Sequence, residues 1–544
     1  MSLRRPAVLM LALVAVLAGL VVAVDVTVDP PVGAPGAEPD AAAPPGAEAD
    51  DAAPVDAEAD PAEVEPEAGG AWTCAVGDGR DGTEVAVTAI APDAETEDPA
   101  RVRFDPFTDG DVEPGQPLTL APGTGESLPL EGEGTATFAR WQDHPVAVFR
   151  RWRLTGEEDL PPGRAEGPCL AEDAEQWWIP GMSTAGGHEA RVRLANPYET
   201  DATVAVRLLT PEGPVEPTVL QNLTVLSRST TEIEINEHLP ERDDVGVDVQ
   251  VIAGRAAAEG YQLVHQAIGD VDAVSLLAAT PRPSTTWTVP WVAEDDDRHS
   301  WLWLLNPGDR PAPVELTLHG ADGDVAPEGL AEVTVEPGQL RRIDLRGAFP
   351  ERLSSAALTV RADAEPVIAS GTVRLEADEP TDSALPVQLG AQPSDSWVVA
   401  GGPTEGRTEQ LRLVNPGQET VEVDVALWNG EQTLRPDDLT GVEVDPGALV
   451  TLPLAGELGD VEQWGAFVEA RDRGQLVVGH VGQGGPDARE LVAGPGASSA
   501  VWSPAGPTPP SRSEPGLTQR LGTGDDHQRL APDDDPVVTD DPED

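Results

Sequence analysis

Between about Trp72 and Trp502 the chain consists largely of short runs in which apolar and polar residues alternate. Ala190-Arg191-Val192-Arg193-Leu194 and Ala202-Thr203-Val204-Ala205-Val206-Arg207-Leu208 are two of them. Leu223-Thr224-Val225, Thr231-Glu232-Ile233-Glu234-Ile235 and Val245-Gly246-Val247-Asp248-Val249-Gln250-Val251 continue the pattern. A period of two sends alternate side chains to opposite faces, so each run predicts a strand with one face buried and one wet. Gly, Pro, Asn and Asp punctuate the runs about every 8–12 residues, the spacing of a sandwich or barrel. Seven or eight short strands in ~100 residues is the immunoglobulin-like count. No segment carries a helical apolar stripe. The expected helical content is limited to short turns near Glu237-His238-Leu239-Pro240 and Gly347-Ala348-Phe349-Pro350.

The runs recur. Arg412-Leu413-Val414-Asn415-Pro416-Gly417 echoes Trp303-Leu304-Leu305-Asn306-Pro307-Gly308 and Arg193-Leu194-Ala195-Asn196-Pro197, and the three asparagines are almost evenly spaced. Trp178, Trp287 and Trp397 lead these copies by a nearly constant offset, and Val225, Val335 and Val444 follow each Asn by a constant one. Trp72, Ala91-Pro92 and Leu120-Ala121-Pro122-Gly123 keep the same offsets, so a fourth, worn copy lies upstream with Ala in place of Asn. A period of about 110 residues is the size of a compact domain, well above a solenoid turn. The predicted fold is therefore all-β, with four tandem immunoglobulin-like β-sandwich repeats: a divergent one at 71–176, then 177–286, 287–396 and 397–502. The linkers between them are short, which predicts a stiff rod.

The ends read differently. Arg4 and Arg5 precede an uninterrupted apolar run from Ala7 to Val24, so residues 1–24 are expected to be a signal peptide or a single-pass membrane anchor. Either way the bulk of the chain is expected outside the cytoplasm, extracellular or at the cell membrane. Residues 25–70 form an Ala/Pro-rich acidic spacer, and residues 503–544 an acidic tail. Both lack the apolar surface that would offset ordering entropy and are expected to be disordered. The formal charge is −63 and the sequence holds no lysine, which argues against a nucleic-acid partner. It also suggests a salty or alkaline habitat.

Candidate chemistry is sparse. Asn196-Pro197, Asn306-Pro307 and Asn415-Pro416 are read as structural turns, since Asn bonds backbone two residues on and Pro fixes φ. The Val-x-Pro-Gly steps fit type II turns. The leading tryptophans are expected to plug the repeat cores. Trp301, Trp303, Trp141, Trp152 and Trp428 are candidate ligand-binding rings, because they do not recur, although buried packing is the favoured reading of the Trp301 and Trp303 pair. Arg150 and Arg151, in the basic and aromatic knot Phe149-Arg150-Arg151-Trp152-Arg153, are candidates for an anionic polymer, although internal pairing is the favoured reading. Cys74 and Cys169 bracket the first repeat and are expected to form a disulfide. Histidines are scattered without metal spacing, and no nucleophile elbow, P-loop or dinucleotide fingerprint is found. No catalytic residue, metal site or cofactor is therefore assigned.

The lead-in Trp, the Asn-Pro-Gly phrase and the Val-x-Pro-Gly step, behind an export signal and acidic spacer, resemble a family of secreted or anchored actinobacterial proteins catalogued only as a domain of unknown function. The resemblance covers roughly Trp72 to Trp502 and implies a cell-envelope location without an established chemistry. The expected function is that of a non-enzymatic structural or adhesive protein of the envelope, whose partner is an envelope polysaccharide or protein. The alternative is a carbohydrate-binding array that uses exposed tryptophans.

Overall fold

The computed structural model describes residues 69–498 except 76–81, 94–97, 113, 131–134, 156–162, 172–173, 268–270, 331, 351–352, 376–380, 383–386 and 485–490. The expected signal or anchor, nearly all of the spacer and the tail lie outside the described residues. No helix among the described residues is long and apolar enough to cross a membrane.

The fold is all-β. Among the described residues the strands form eight sheets, none closed on itself, and one pairing order recurs along four stretches of chain. In the second stretch one sheet runs Gln176–Met182, Val245–Ala253, Ala202–Thr210, Gly213–Val215, with Leu223–Val225 also on Ala202–Thr210. The other runs Ser229–Glu234, His188–Asn196, Ala257–Ala267, Val271–Leu277, and Thr381–Asp382 from the third stretch adds a short parallel edge. The alternation explains the packing. Val192 and Leu194 from one sheet meet Val204, Val206 and Leu208 from the other in a single buried cluster. Arg191 and Arg193, at the alternate positions, meet Glu232 on the opposite face of the sheet, where Arg193 is itself buried. A four-residue helix forms at Ile235–His238, but Gly347-Ala348-Phe349-Pro350 makes only turns; the second short helix lies at Ala455–Leu458.

The Asn-Pro phrase is more than a surface turn. Asn196, Asn306 and Asn415 are fully buried. In each, the Nδ2 amide donates to the carbonyl four residues on (Thr200, Arg310, Glu419) and to the carbonyl of the valine 29 residues on. Oδ1 accepts the backbone N–H two residues on. One side chain thus closes its own turn and ties it to a strand of the partner sheet, which is the physical content of the constant Asn-to-Val spacing. Three residues past that valine the backbone turns left-handed: Gly338 has φ 66° and Gly447 φ 71°. Gly123 takes the same place in the first stretch, and Arg228 (φ 53°) carries the strain of a non-glycine in the second.

Two expectations need correction. The tryptophan that recurs in the second stretch is Trp177, not Trp178. Trp72, Trp177, Trp287 and Trp397 are all buried, and each Nε1–H donates to an equivalent carbonyl (Val146, Ala256, Val367, Leu476) at 2.6–3.0 Å. Adjacent tryptophans gave the spacing two solutions, and the pleat chose the inward one. Trp178 instead packs with Trp303, Leu305 and Leu340 of the third stretch.

The second correction concerns the rod, because the four stretches close on one another. First meets second through the buried Arg150–Glu259 ion pair and through Trp152, set edge-on to Tyr261 at 5.0 Å. Second meets third where Asp244 accepts from Trp303 Nε1 and pairs with Arg342. Third meets fourth at His319, whose Nδ1 lies 3.1 Å from the Gly447 carbonyl, while its Nε2 lies 2.8 Å from Thr359 Oγ1. Burial, first of all, depresses the His319 pKa, so the neutral ring donates through Nδ1. Fourth then returns to first: Val398, Trp428 and Phe467 join Ile90, Trp72 and Val148 in one core, and Arg435 pairs with Asp93. Short linkers limit how far successive stretches stand apart. Apolar residues on outward sheet faces set the direction in which they turn, and here they bring the fourth back to the first.

Candidate functional site

The sequence singled out residues whose surroundings the fold now specifies. Cys74 and Cys169 are disulfide-bonded, Cα to Cα 4.8 Å, in the stretch that has Ala91 where the others have Asn. Trp141 is buried in the core shared by the first and fourth stretches, its ring against Gly70. Trp152 is buried against Tyr261, Leu263 and Leu276. Trp303 is buried over Gly181, where a Cβ would come within 2.6 Å of the indole. Trp301 alone of these four is partly exposed, standing edge-on to His299 with ring centres 4.5 Å apart. Trp301 and Trp303 share a strand face by alternation, but the neighbouring stretch covers only the second. A stacking platform needs accessible ring faces, and burial withdraws Trp141, Trp152 and Trp303 from that role.

The basic knot is absorbed internally. Arg150 is 2% exposed and bonds Glu259 and the Pro168 carbonyl. Arg153 pairs with Glu84. Arg151 lies with Glu166 against the backbone of Gly402, at the seam between first and fourth stretches. Glu259, fully buried, also accepts the Ala75 N–H at 2.7 Å. The sequence reading missed Glu259, though a lone carboxylate within Ala256-Ala257-Ala258-Glu259-Gly260-Tyr261 was a visible sign of a buried partner.

Next to it, Tyr261 donates to Glu232 at 2.7 Å, and Glu232 also pairs with Arg191 and Arg193. Burial acts to raise the Glu232 pKa, but Arg193, Tyr261 and Arg191 outweigh it and hold the carboxyl at about 2, below its ordinary 4.5. The unfolded chain then takes up this proton first as the solution is acidified. Glu232 accordingly contributes stability above pH 4.5 that is lost as pH falls toward 2. Glu232→Gln is expected to flatten the acid limb of stability across that window. Urea midpoints at pH 6, 4 and 3 that fall equally in both proteins would refute this.

The four stretches also surround a cavity of about 290 Å³. Equivalent strand ends build its wall: Pro168-Cys169-Leu170, Ala278-Ala279-Thr280, Leu389-Gly390-Ala391 and Pro495-Gly496-Ala497. Backbone pairing fixes each beside a recurring tryptophan: Leu170 on Thr73, Thr280 on Trp178, Ala391 on Thr288, Ala497 on Val398. Trp72, Trp177, Trp287 and Trp397 complete the lining, with Arg150, Glu166 and Arg282 as its charged members. No single repeat contains this space, so no motif announces it. Among the described residues no group of three or more His, Cys, Asp or Glu is arranged to hold a metal ion.

No curated protein matches the chain. Among solved structures, the α-L-rhamnosidase of Streptomyces avermitilis complexed with L-rhamnose is 11% identical over 74% of this chain, which spans 56% of that one. Its TM-score of 0.11 is too low to bear on fold or activity. The sequence profile of a family described only as being of unknown function, DUF5719, matches residues 142–393 and 390–488. Those segments cover more than half the sequence, and the chain belongs to that family.

Proposed function

We propose that this is a non-enzymatic protein of the cell envelope or extracellular space, formed by four immunoglobulin-like β-sandwich repeats that close into a ring and present its outer faces to an envelope partner. The repeat assignment is supported by the pairing order common to four stretches and by cores that mix residues of paired sheets. The observation that carries the compartment is the Cys74–Cys169 disulfide, since such bonds persist in oxidising surroundings and are rare in a reducing cytosol. The apolar run behind Arg4 and Arg5 fits the same location. The carbohydrate-array alternative is not adopted, because four of its five candidate rings, Trp141, Trp152, Trp303 and Trp428, are buried.

Fractionating producing cells and labelling thiols before and after reduction tests the location. The protein is expected in the extracytoplasmic fraction, unlabelled until reduced. Fully labelled protein in the cytosol would sink the proposal. In the purified protein, Cys74→Ser is expected to lower stability by about 2–5 kcal/mol, as loss of a bond closing a long loop does; a urea midpoint unchanged from wild type would show that the staple is dispensable.

A further inference from the structure

We propose that the cavity where the four stretches meet is a binding site for a compact, uncharged apolar molecule of one or two rings. Its walls repeat one arrangement four times. At each equivalent wall position the side chain is small: Cys169, Ala279, Gly390 and Gly496. Their side chains turn away from the opening: Cys169 bonds Cys74, Ala279 packs in the second core, and a Cβ on Gly390 or Gly496 would meet Trp287 or the Val398 carbonyl. The open space lies at two other wall positions. A Cβ placed on Gly167 or Gly494 would meet no atom within 4 Å, and neither glycine has the left-handed backbone that excludes other residues. Side chains would fit at both places, yet the space is left empty.

The chemistry of the lining defines the occupant. About 290 Å³ sits at the lower end of the volumes that hold small organic ligands, so the molecule is compact. Leu, Ala, Pro and Gly supply an apolar wall, with the four recurring indoles, 1–4% exposed, packed behind it. A sugar or a free ion would lose its water there for few hydrogen bonds in return. Of the charged members, Arg150 is already engaged by Glu259, Glu166 lies beside Arg151 at Gly402, and Arg282 is exposed at the rim with an interaction of its own, so none calls for a charged ligand. The disulfide holds one wall in place, because Cys169 belongs to the lining.

Titration of the full-length protein with 6-propionyl-2-(dimethylamino)naphthalene, a neutral two-ring dye that brightens in apolar surroundings, tests this. The expected result is saturable binding at one site per chain. Gly494→Leu and Gly167→Leu, on walls from different stretches, should each weaken it at least tenfold while far-ultraviolet circular dichroism is unchanged. Gly494→Ala adds a single methyl where it meets nothing and should give a smaller weakening in a protein as stable as wild type, so the test survives if the leucine variants misfold. Absence of saturable binding overturns the proposal, as does binding that none of the substitutions alters. Binding seen only after residues beyond 498 are removed also overturns it, since the space would then belong to the chain itself.

Discussion

Replacing Glu259 by Ala is expected to destabilise the protein by about 3–5 kcal/mol, the cost of leaving one charge of a buried pair without its partner. Arg150 is almost wholly enclosed, and the Pro168 carbonyl that it also bonds cannot neutralise it. The loss should fall at the seam between the first and second stretches, because the two residues lie 109 positions apart and belong to different stretches. Arg150→Met combined with Glu259→Leu is expected to recover much of the loss, since desolvation penalises an ion pair that apolar residues of similar volume would not incur. Recovery should be incomplete, because the Ala75 N–H that Glu259 accepts stays unpaired. Urea denaturation of Arg150→Met, Glu259→Leu and their combination gives the coupling energy directly. A Glu259→Ala change below about 1 kcal/mol, or energies that simply add, would mean the pair does not hold the seam.

Asn415→Ala is the second large effect. The substitution removes two donated bonds and one accepted bond at a position with no solvent access, stranding the Glu419 and Val444 carbonyls and the Gly417 N–H. Each buried polar group left without a partner costs about 1–3 kcal/mol, and partial relaxation of the turn makes about 3–5 kcal/mol the expected total. Asn415→Asp is nearly isosteric and keeps the acceptor for Gly417, yet sets a carboxylate against two carbonyls. At pH 7 it should be at least as damaging as Ala, a pattern that a simple loss of packing would not give. The first stretch provides a natural comparison. Ala91 stands there in place of Asn and keeps the backbone bonds, Ala91 N to the Thr124 carbonyl and Gly123 N to the Ala91 carbonyl. That stretch also carries the disulfide. If Asn415→Ala and Asn415→Asp each lower stability by less than about 1 kcal/mol, the Asn is a turn residue only and the link to Val444 is incidental.

What the linear chain determined about this protein is its local grammar. Alternation of period two placed the strands, since a half-buried strand has few other ways to distribute its side chains. The Asn-Pro phrase and the Pro-Gly steps marked turns because φ and side-chain bonding at those residues are local properties. The constant offset from each Asn to its valine was legible as a regularity, and its cause, one amide bonding a carbonyl of the partner sheet, required the fold. Tertiary structure decided everything that depends on which outward faces meet. Trp303 and Trp301 are indistinguishable along the strand, yet Gly181 of another stretch covers one and leaves the other at a rim. Trp177 and Trp178 differ only in which side of the pleat they face. Glu259 was one carboxylate among 97 acidic residues until Arg150 was found beside it. Closure of the fourth stretch on the first, and the half-open cavity that closure forms, belong to no repeat. They arise from contacts such as Arg435 with Asp93, 342 residues apart, and sequence periodicity carries no information about the angle between successive units.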